Sequence, residues 1–120
     1  MQHEVSVQDF KDNVYDYESS SFLGTRPVVV DLYTQWCSAC KTMAPGLAVL
    51  YEKYKDDFDV IKVDVTEADD LCSALEIQSV PTLLFFEPNR GHAKTLVGAY
   101  PQNVIEKTLL GLFQGEQVYA

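Results

Sequence analysis

The sequence predicts a mixed α/β sandwich, and three observations carry that prediction. Runs rich in β-branched residues at 28–33 and 60–65 alternate with stretches whose apolar residues recur every three to four positions, the two periods that separate strands from helices. The run Val28-Val29-Val30-Asp31-Leu32-Tyr33 is apolar on both faces except at Asp31, as in a parallel sheet covered by helices on each side. The last two strands read as a hairpin followed by a helix, which makes the sheet mixed.

Taken in order, Ser6-Val7-Gln8-Asp9 has the form of a capping box before Phe10, Val14 and Tyr17, whose spacing places them on one helical face. Ser19-Ser20-Ser21 reads as a loop, and Arg26-Pro27 leads into the buried strand. After Cys37, the residues Met43, Leu47, Leu50 and Tyr54 describe the inner stripe of a long helix. Pro45 lies inside it and removes a hydrogen bond to the carbonyl of Lys41, which predicts a kink rather than a break. Asp56-Asp57 ends the helix and residues 60–65 form the next strand. Thr66-Glu67-Ala68-Asp69 reads as a second capping box, opening a short helix with Leu71, Cys72 and Leu75 on its inner side. Thr82 to Phe86 is a third strong strand, Glu87 to Gly91 a turn, and Lys94 to Val97 its antiparallel partner. Pro101 suits the first turn of a last helix that buries Ile105, Leu109 and Leu112.

At 120 residues, with 47% hydrophobic content and no repeat or long linker, the chain is read as one domain over 1–120 with enough apolar material for a core. Lys and Arg number 9 against 18 Asp and Glu, a formal net charge of −9, and the sequence pI is near 4.4. That argues against nucleic acid and anionic membranes as partners, because both would be repelled. No stretch approaches the ~20 apolar residues a membrane-spanning helix needs. The start Met1-Gln2-His3-Glu4-Val5 has neither the basic head nor the apolar stretch of a secretory signal, so the expected location is the cytoplasm. Three cysteines, Cys37, Cys40 and Cys72, are too few for a disulfide-stapled scaffold, which turns attention to catalysis or metal.

Trp36-Cys37-Ser38-Ala39-Cys40-Lys41 sits where the buried strand ends and the long helix begins. Unpaired backbone N–H groups and the positive dipole end at a helix N-terminus stabilise an anion, so the first cysteine's thiolate is favoured. The second cysteine, one turn later, is near enough to attack a mixed disulfide formed by the first. Zinc is disfavoured, since four ligands are needed and only Cys72, His3 and His92 remain, scattered singly along the chain. Two inert buried cysteines are the plainer alternative, weakened by the strand-to-helix placement.

These residues, together with Val30-Asp31 before the cysteines, Met43-Ala44-Pro45 after them, Val80-Pro81-Thr82 before a strand and Val97-Gly98-Ala99 near the end, resemble the thioredoxin family from about Ser6 to Leu112. The resemblance implies the thioredoxin fold, three layers with a central mixed sheet of about five strands flanked by about four helices. It implies that Cys37 is the nucleophile, Cys40 the resolving thiol, Asp31 the buried carboxylate beneath them and Lys62 its neighbour. It also implies a cis-proline at Pro81 and an apolar docking rim made by Trp36, Val80, Pro81, Gly98 and Ala99. The implied activity is reduction of protein disulfides by dithiol–disulfide exchange. No bound cofactor or metal is expected, and the resemblance implies electrons from NADPH through a thioredoxin reductase; the expected molecule is a monomer serving redox homeostasis.

The residues alone leave Asp31 open between a buried proton acceptor and a strand-end carboxylate facing solvent, Lys62 between a site residue and a solvated lysine, and Trp36 between rim and core. Cys72 reads as a small buried hydrophobe, with regulatory oxidation or dimer formation as the lesser reading. Thioredoxins usually carry Gly-Pro between the cysteines, whereas this chain has Ser38-Ala39. Alanine restores an N–H that proline lacks and serine adds a hydroxyl, so both are expected to tune the pair toward a weaker reductant. The rival readings are a more oxidising oxidoreductase or isomerase and a non-catalytic binding module. Tyr33, where many thioredoxins have tryptophan, reads as a mild departure.

Overall fold

A computed structural model describes residues 3–88 and 93–114, with side chains described for 4–88 and 93–111. Its elements in chain order are β1 (His3–Glu4), α1 (Val7–Asn13), β2 (Tyr15–Asp16), β3 (Ser21–Phe22), β4 (Val28–Tyr33), α2 (Ser38–Tyr54), β5 (Asp59–Asp64), α3 (Asp69–Ala74), β6 (Thr82–Phe86), β7 (Lys94–Val97) and α4 (Gln102–Gln114). The main sheet has the order β1-β5-β4-β6-β7, and β2 and β3 form a separate small hairpin. Strands β1 and β4 run parallel to β5, while β6 is antiparallel to β4 and to β7. This is the mixed α/β sandwich expected.

Alternation along the strands divides the core in two. Val28, Val30 and Leu32 face one side with Ile61, Val63, Leu84 and Phe86, where Phe10 of α1 and Leu71 of α3 cover them. Val29 faces the other with Val60, Leu83 and Phe85, under Met43, Leu47 and Leu50 of α2 and Ile105 and Leu109 of α4. Asp31, two residues after Val29, therefore points to the α2 side. α2 runs unbroken through Pro45, whose exposed ring lies on the helix's outer face. Its far end is joined to α4 through Glu106, which accepts hydrogen bonds from Lys53 Nζ and the Tyr54 hydroxyl.

Four expectations are corrected. The first helix ends at Asn13, so Tyr17 is not on its face. The chain turns there into β2 and β3, which takes Ser21 out of the expected loop and into a strand, while Tyr17 still packs against the same core. Thr66 does not cap α3, whose N-cap is Ala68 without a side-chain bond. The Thr66 hydroxyl instead donates to Asp64 Oδ1 at 2.6 Å, which commits it to the end of β5. Pro101 stands just before α4 rather than in its first turn, its carbonyl accepting from Val104 N at 3.0 Å. Of the expected turn, Asn89, Arg90 and Gly91 lie outside the described residues, as do His92 and the side chain of Leu112.

Candidate functional site

The C-terminal ends of β4, β5 and β7, the start of β6 and the N-terminus of α2 all meet at one end of the sheet, as the antiparallel pairing of β6 requires. Cys37 is the N-cap of α2, with extended backbone, and is joined to Cys40 by a disulfide with Cα atoms 5.3 Å apart. The Cys40 N–H donates to Cys37 Sγ at 3.1 Å. An N-cap residue's side chain is where a helix's orphaned amides are satisfied, and here that side chain is sulfur. Cys37 is half-buried whereas Cys40 is only 6% exposed. Ser38 and Ala39 form the exposed first turn.

Asp31 is 1% exposed, which removes the solvent-facing alternative. It lines a cavity of about 150 Å³ with Tyr33, Cys40, Lys41, Ala44 and Lys62, large enough for several waters. Its Oδ1 has no hydrogen-bond partner among the described residues. The carboxyl is pushed up to about 6, first by burial, with the Lys62 ammonium pulling down and Glu4 pushing up. The folded chain thus holds this proton more tightly than the unfolded chain. The associated stability is complete below the ordinary carboxylate range and is lost as pH rises through about 6. Asp31→Asn, which cannot ionise, is expected to be more stable than the parent by up to about 3 kcal/mol above about pH 7, with little difference below about pH 4. Urea unfolding at the two pH values measures this.

Lys62 lies on β5, an interior strand of the sheet, in register with Asp31. Its ammonium sits over the Tyr33 ring, 4.7 Å from the centroid. The Tyr33 hydroxyl donates to Glu4 Oε1 at 2.7 Å. Tyr33 is therefore more than a mild departure: its hydroxyl makes a bond to the first strand. Gln35 closes the loop before the cysteines, donating from Nε2 to Asp64 Oδ2 at 3.2 Å.

Trp36 is 79% exposed, so it is not core. The Val80-Pro81 peptide is cis, Pro81 is buried and Val80 half-buried, and Val80 packs onto the α1/α3 side of the core. Thr82 Oγ1 donates to the Ser79 carbonyl at 2.7 Å, and Gly98 N to the Pro81 carbonyl at 2.9 Å. Gly98 has φ 108°, and an added Cβ would meet nothing within 4 Å, so only its backbone conformation calls for glycine. Val80, Pro81, Gly98 and Ala99 gather at the same end of the sheet but stand outside the lining of the Asp31 cavity. Cys72 is half-buried, and burial, followed by the Asp69 charge, pushes its thiol up, away from thiolate. It lines an open depression with Asp69, Ser73 and Glu76, away from the cysteine pair. Among the described residues no group of three His, Cys, Asp or Glu is placed to hold a metal ion. Among the same residues no helix is long and apolar enough to cross a membrane.

Glu4 escaped the sequence reading because β1 is only two residues long, too short for a periodic signal. Tyr33 carried a usable signal, since a residue two positions from Asp31 on a strand shares its face.

The thioredoxin family model matches residues 2–110. A thioredoxin of Borreliella burgdorferi is 36% identical over 112 residues, covering 91% of this chain and 95% of that protein. A thioredoxin of Alicyclobacillus acidocaldarius is 36% identical over 91 residues, covering 76% and 86%. Among solved structures, the germline-specific thioredoxin Deadhead of Drosophila melanogaster superposes with a TM-score of 0.72 at 25% identity, covering 93% of this chain and 99% of that one.

Proposed function

The chain belongs to the thioredoxin family and is a thiol–disulfide oxidoreductase of the protein-disulfide reductase type, and from that premise we propose how its residues divide the reaction. Cys37 Sγ, as thiolate, attacks one sulfur of a substrate disulfide, forming a Cys37–substrate mixed disulfide and expelling the other substrate sulfur as thiolate. Cys40 gives its proton to Asp31 through water in the cavity and attacks Cys37 Sγ. The Cys37–Cys40 disulfide forms, the second substrate sulfur leaves, and the substrate departs with both sulfurs reduced. The observation that carries this assignment is the asymmetry of the pair: Cys37 is the more exposed residue, at the cap of α2, and Cys40 is buried beside the Asp31 cavity.

Lys62 holds the cavity's charge balance. Trp36, Val80, Pro81, Gly98 and Ala99 form the surface on which the substrate's chain docks. Thioredoxins bind no cofactor; the electrons for this chain come from NADPH through a thioredoxin reductase. The chain works as a single domain over 1–120, a cytoplasmic monomer in electron transport and redox homeostasis.

The test is a Cys40→Ser variant offered a disulfide-bonded peptide. It is expected to stall as a covalent adduct on Cys37, visible by non-reducing mass spectrometry; adduct on another cysteine, or none, overturns the assignment.

Ser38 and Ala39 set the potential. The Ala39 N–H belongs to the orphaned amides of the first turn, within the field that stabilises a Cys37 thiolate. Ala39→Pro removes it and is expected to make the pair a stronger reductant by about 30 mV, equivalent to about 1.4 kcal/mol. Equilibration with a dithiothreitol buffer measures the difference.

A further inference from the structure

Glu4, Lys62 and Asp31 form one row across three adjacent strands. Glu4 of β1 is in register with Lys62 of β5, and Lys62 is in register with Asp31 of β4. Partners in register on parallel strands share a face, and Tyr33, two residues after Asp31, shares it too. Three of the four side chains are linked on that face, and Asp31 shares a cavity with two of them. The Tyr33 hydroxyl donates to Glu4 Oε1 at 2.7 Å, and the Lys62 ammonium lies 4.7 Å from the Tyr33 ring centroid. Tyr33, Lys62 and Asp31 line the same cavity.

We propose that Glu4 and Tyr33 are positioning residues for the reaction: the tyrosine hydroxyl clamps a carboxylate of the first strand at the end of the row, where its charge sets how tightly Asp31 holds the proton it takes from Cys40. The inference rests on the reading of Asp31 as that proton acceptor. Neither residue touches the sulfurs; both act through Asp31.

The direction follows from Coulomb's law. A negative charge near a carboxylate makes its proton harder to remove, and Lys62 opposes this. The groups facing Asp31 are Lys62 from β5, Glu4 from β1, Tyr33 on its own strand, and Cys40 and Lys41 from α2. Its register partner on β6 is Leu83, which carries no charge. Burial is the largest influence on Asp31, and the opposed charges of Lys62 and Glu4 adjust it. A general base is most useful when its own proton affinity lies near the working pH. Holding Glu4 in place moves Asp31 in that direction, while leaving it free would let the carboxylate turn into water and lose its influence. Tryptophan at position 33 has no hydroxyl to make this bond.

The experiment is an NMR titration of the Asp31 side-chain carboxyl carbon in the oxidised protein, where the disulfide cysteines do not titrate, together with the pH profile of the resolving step. Glu4→Gln is expected to lower the Asp31 midpoint by about 0.5 pH unit. Tyr33→Phe, which keeps the ring beneath Lys62, should lower it by less, and the pH–rate limb should move with the midpoint in each. The double variant should shift no further than Glu4→Gln alone, because both changes remove the same charge effect. Additive shifts would point to water entering a loosened cavity and would overturn the proposal. Midpoints coincident with the parent in both single variants, while Asp31→Asn slows resolution, overturn the proposal alone. An undiminished resolving rate in Asp31→Asn overturns the acceptor reading and the proposal with it.

Discussion

Replacing Cys37 with serine is expected to lower the rate of protein-disulfide reduction by about a thousandfold or more, to the level of buffer dithiothreitol alone. A serine hydroxyl at this cap can accept the same amide hydrogen bond as the sulfur, so the fold is preserved. It cannot form a mixed disulfide, however, and the helix N-terminus has no thiolate to stabilise. Insulin reduction followed by turbidity reads the loss, and a denaturation curve matching the parent shows that the helix is intact. Cys40→Ser must behave differently if the sulfurs have distinct roles: it can still attack once. A Cys37→Ser variant that retained turnover would remove Cys37 from the mechanism.

Phe86→Ala is expected to destabilise the protein by about 3–5 kcal/mol, a large share of the 5–15 kcal/mol typical of a domain. Phe86 is 2% exposed on β6 and is the hub of an aromatic group. Its ring stacks on Phe22 at 5.3 Å with planes 6° apart, and meets Tyr15 at 4.7 Å and Phe10 at 6.3 Å between centroids. The substitution removes the apolar contact area, leaves a cavity, and separates the small β2/β3 hairpin from the sheet it leans on. The fall in denaturant midpoint measures the cost. Val49→Ala on α2, half exposed, is the control and should change stability by no more than about 0.5 kcal/mol.

What could be read from the sequence depended on how many residues carried each signal. The strands at 28–33 and 82–86 and the stripe Met43, Leu47, Leu50 repeat their pattern over several positions, and they appear in the structure where the pattern places them. The two-residue strands β1, β2 and β3 contain no full period. They exist because neighbouring surfaces give their backbones partners, which is a tertiary effect. Thr66 shows the same limit at a helix start, since a threonine can satisfy either the helix behind it or the aspartate before it, and Asp64 won. At the site, the cysteines and Asp31 were legible because a strand-to-helix junction and a lone polar residue in an apolar run are local features. The Glu4 contact joins residues 29 positions apart, and only the register of three strands brings it to Asp31.

The sheet also acts as a partition. Phe10, Leu71, Phe86 and their neighbours lie on one side, while Cys40, Lys41 and Ala44 of α2 close the Asp31 cavity on the other. Sequence change is thereby sorted by the face on which it falls. Substitutions behind the sheet, away from Val80, alter how long the molecule survives heat or denaturant, whereas substitutions in front, where Met43, Leu47 and the Asp31 cavity lie together, can change reactivity and survival at once. Lineages of this chain, or an engineer working on it, have one control behind the sheet that acts mainly on durability and one in front that couples durability to chemistry, separated by the thickness of one β-sheet.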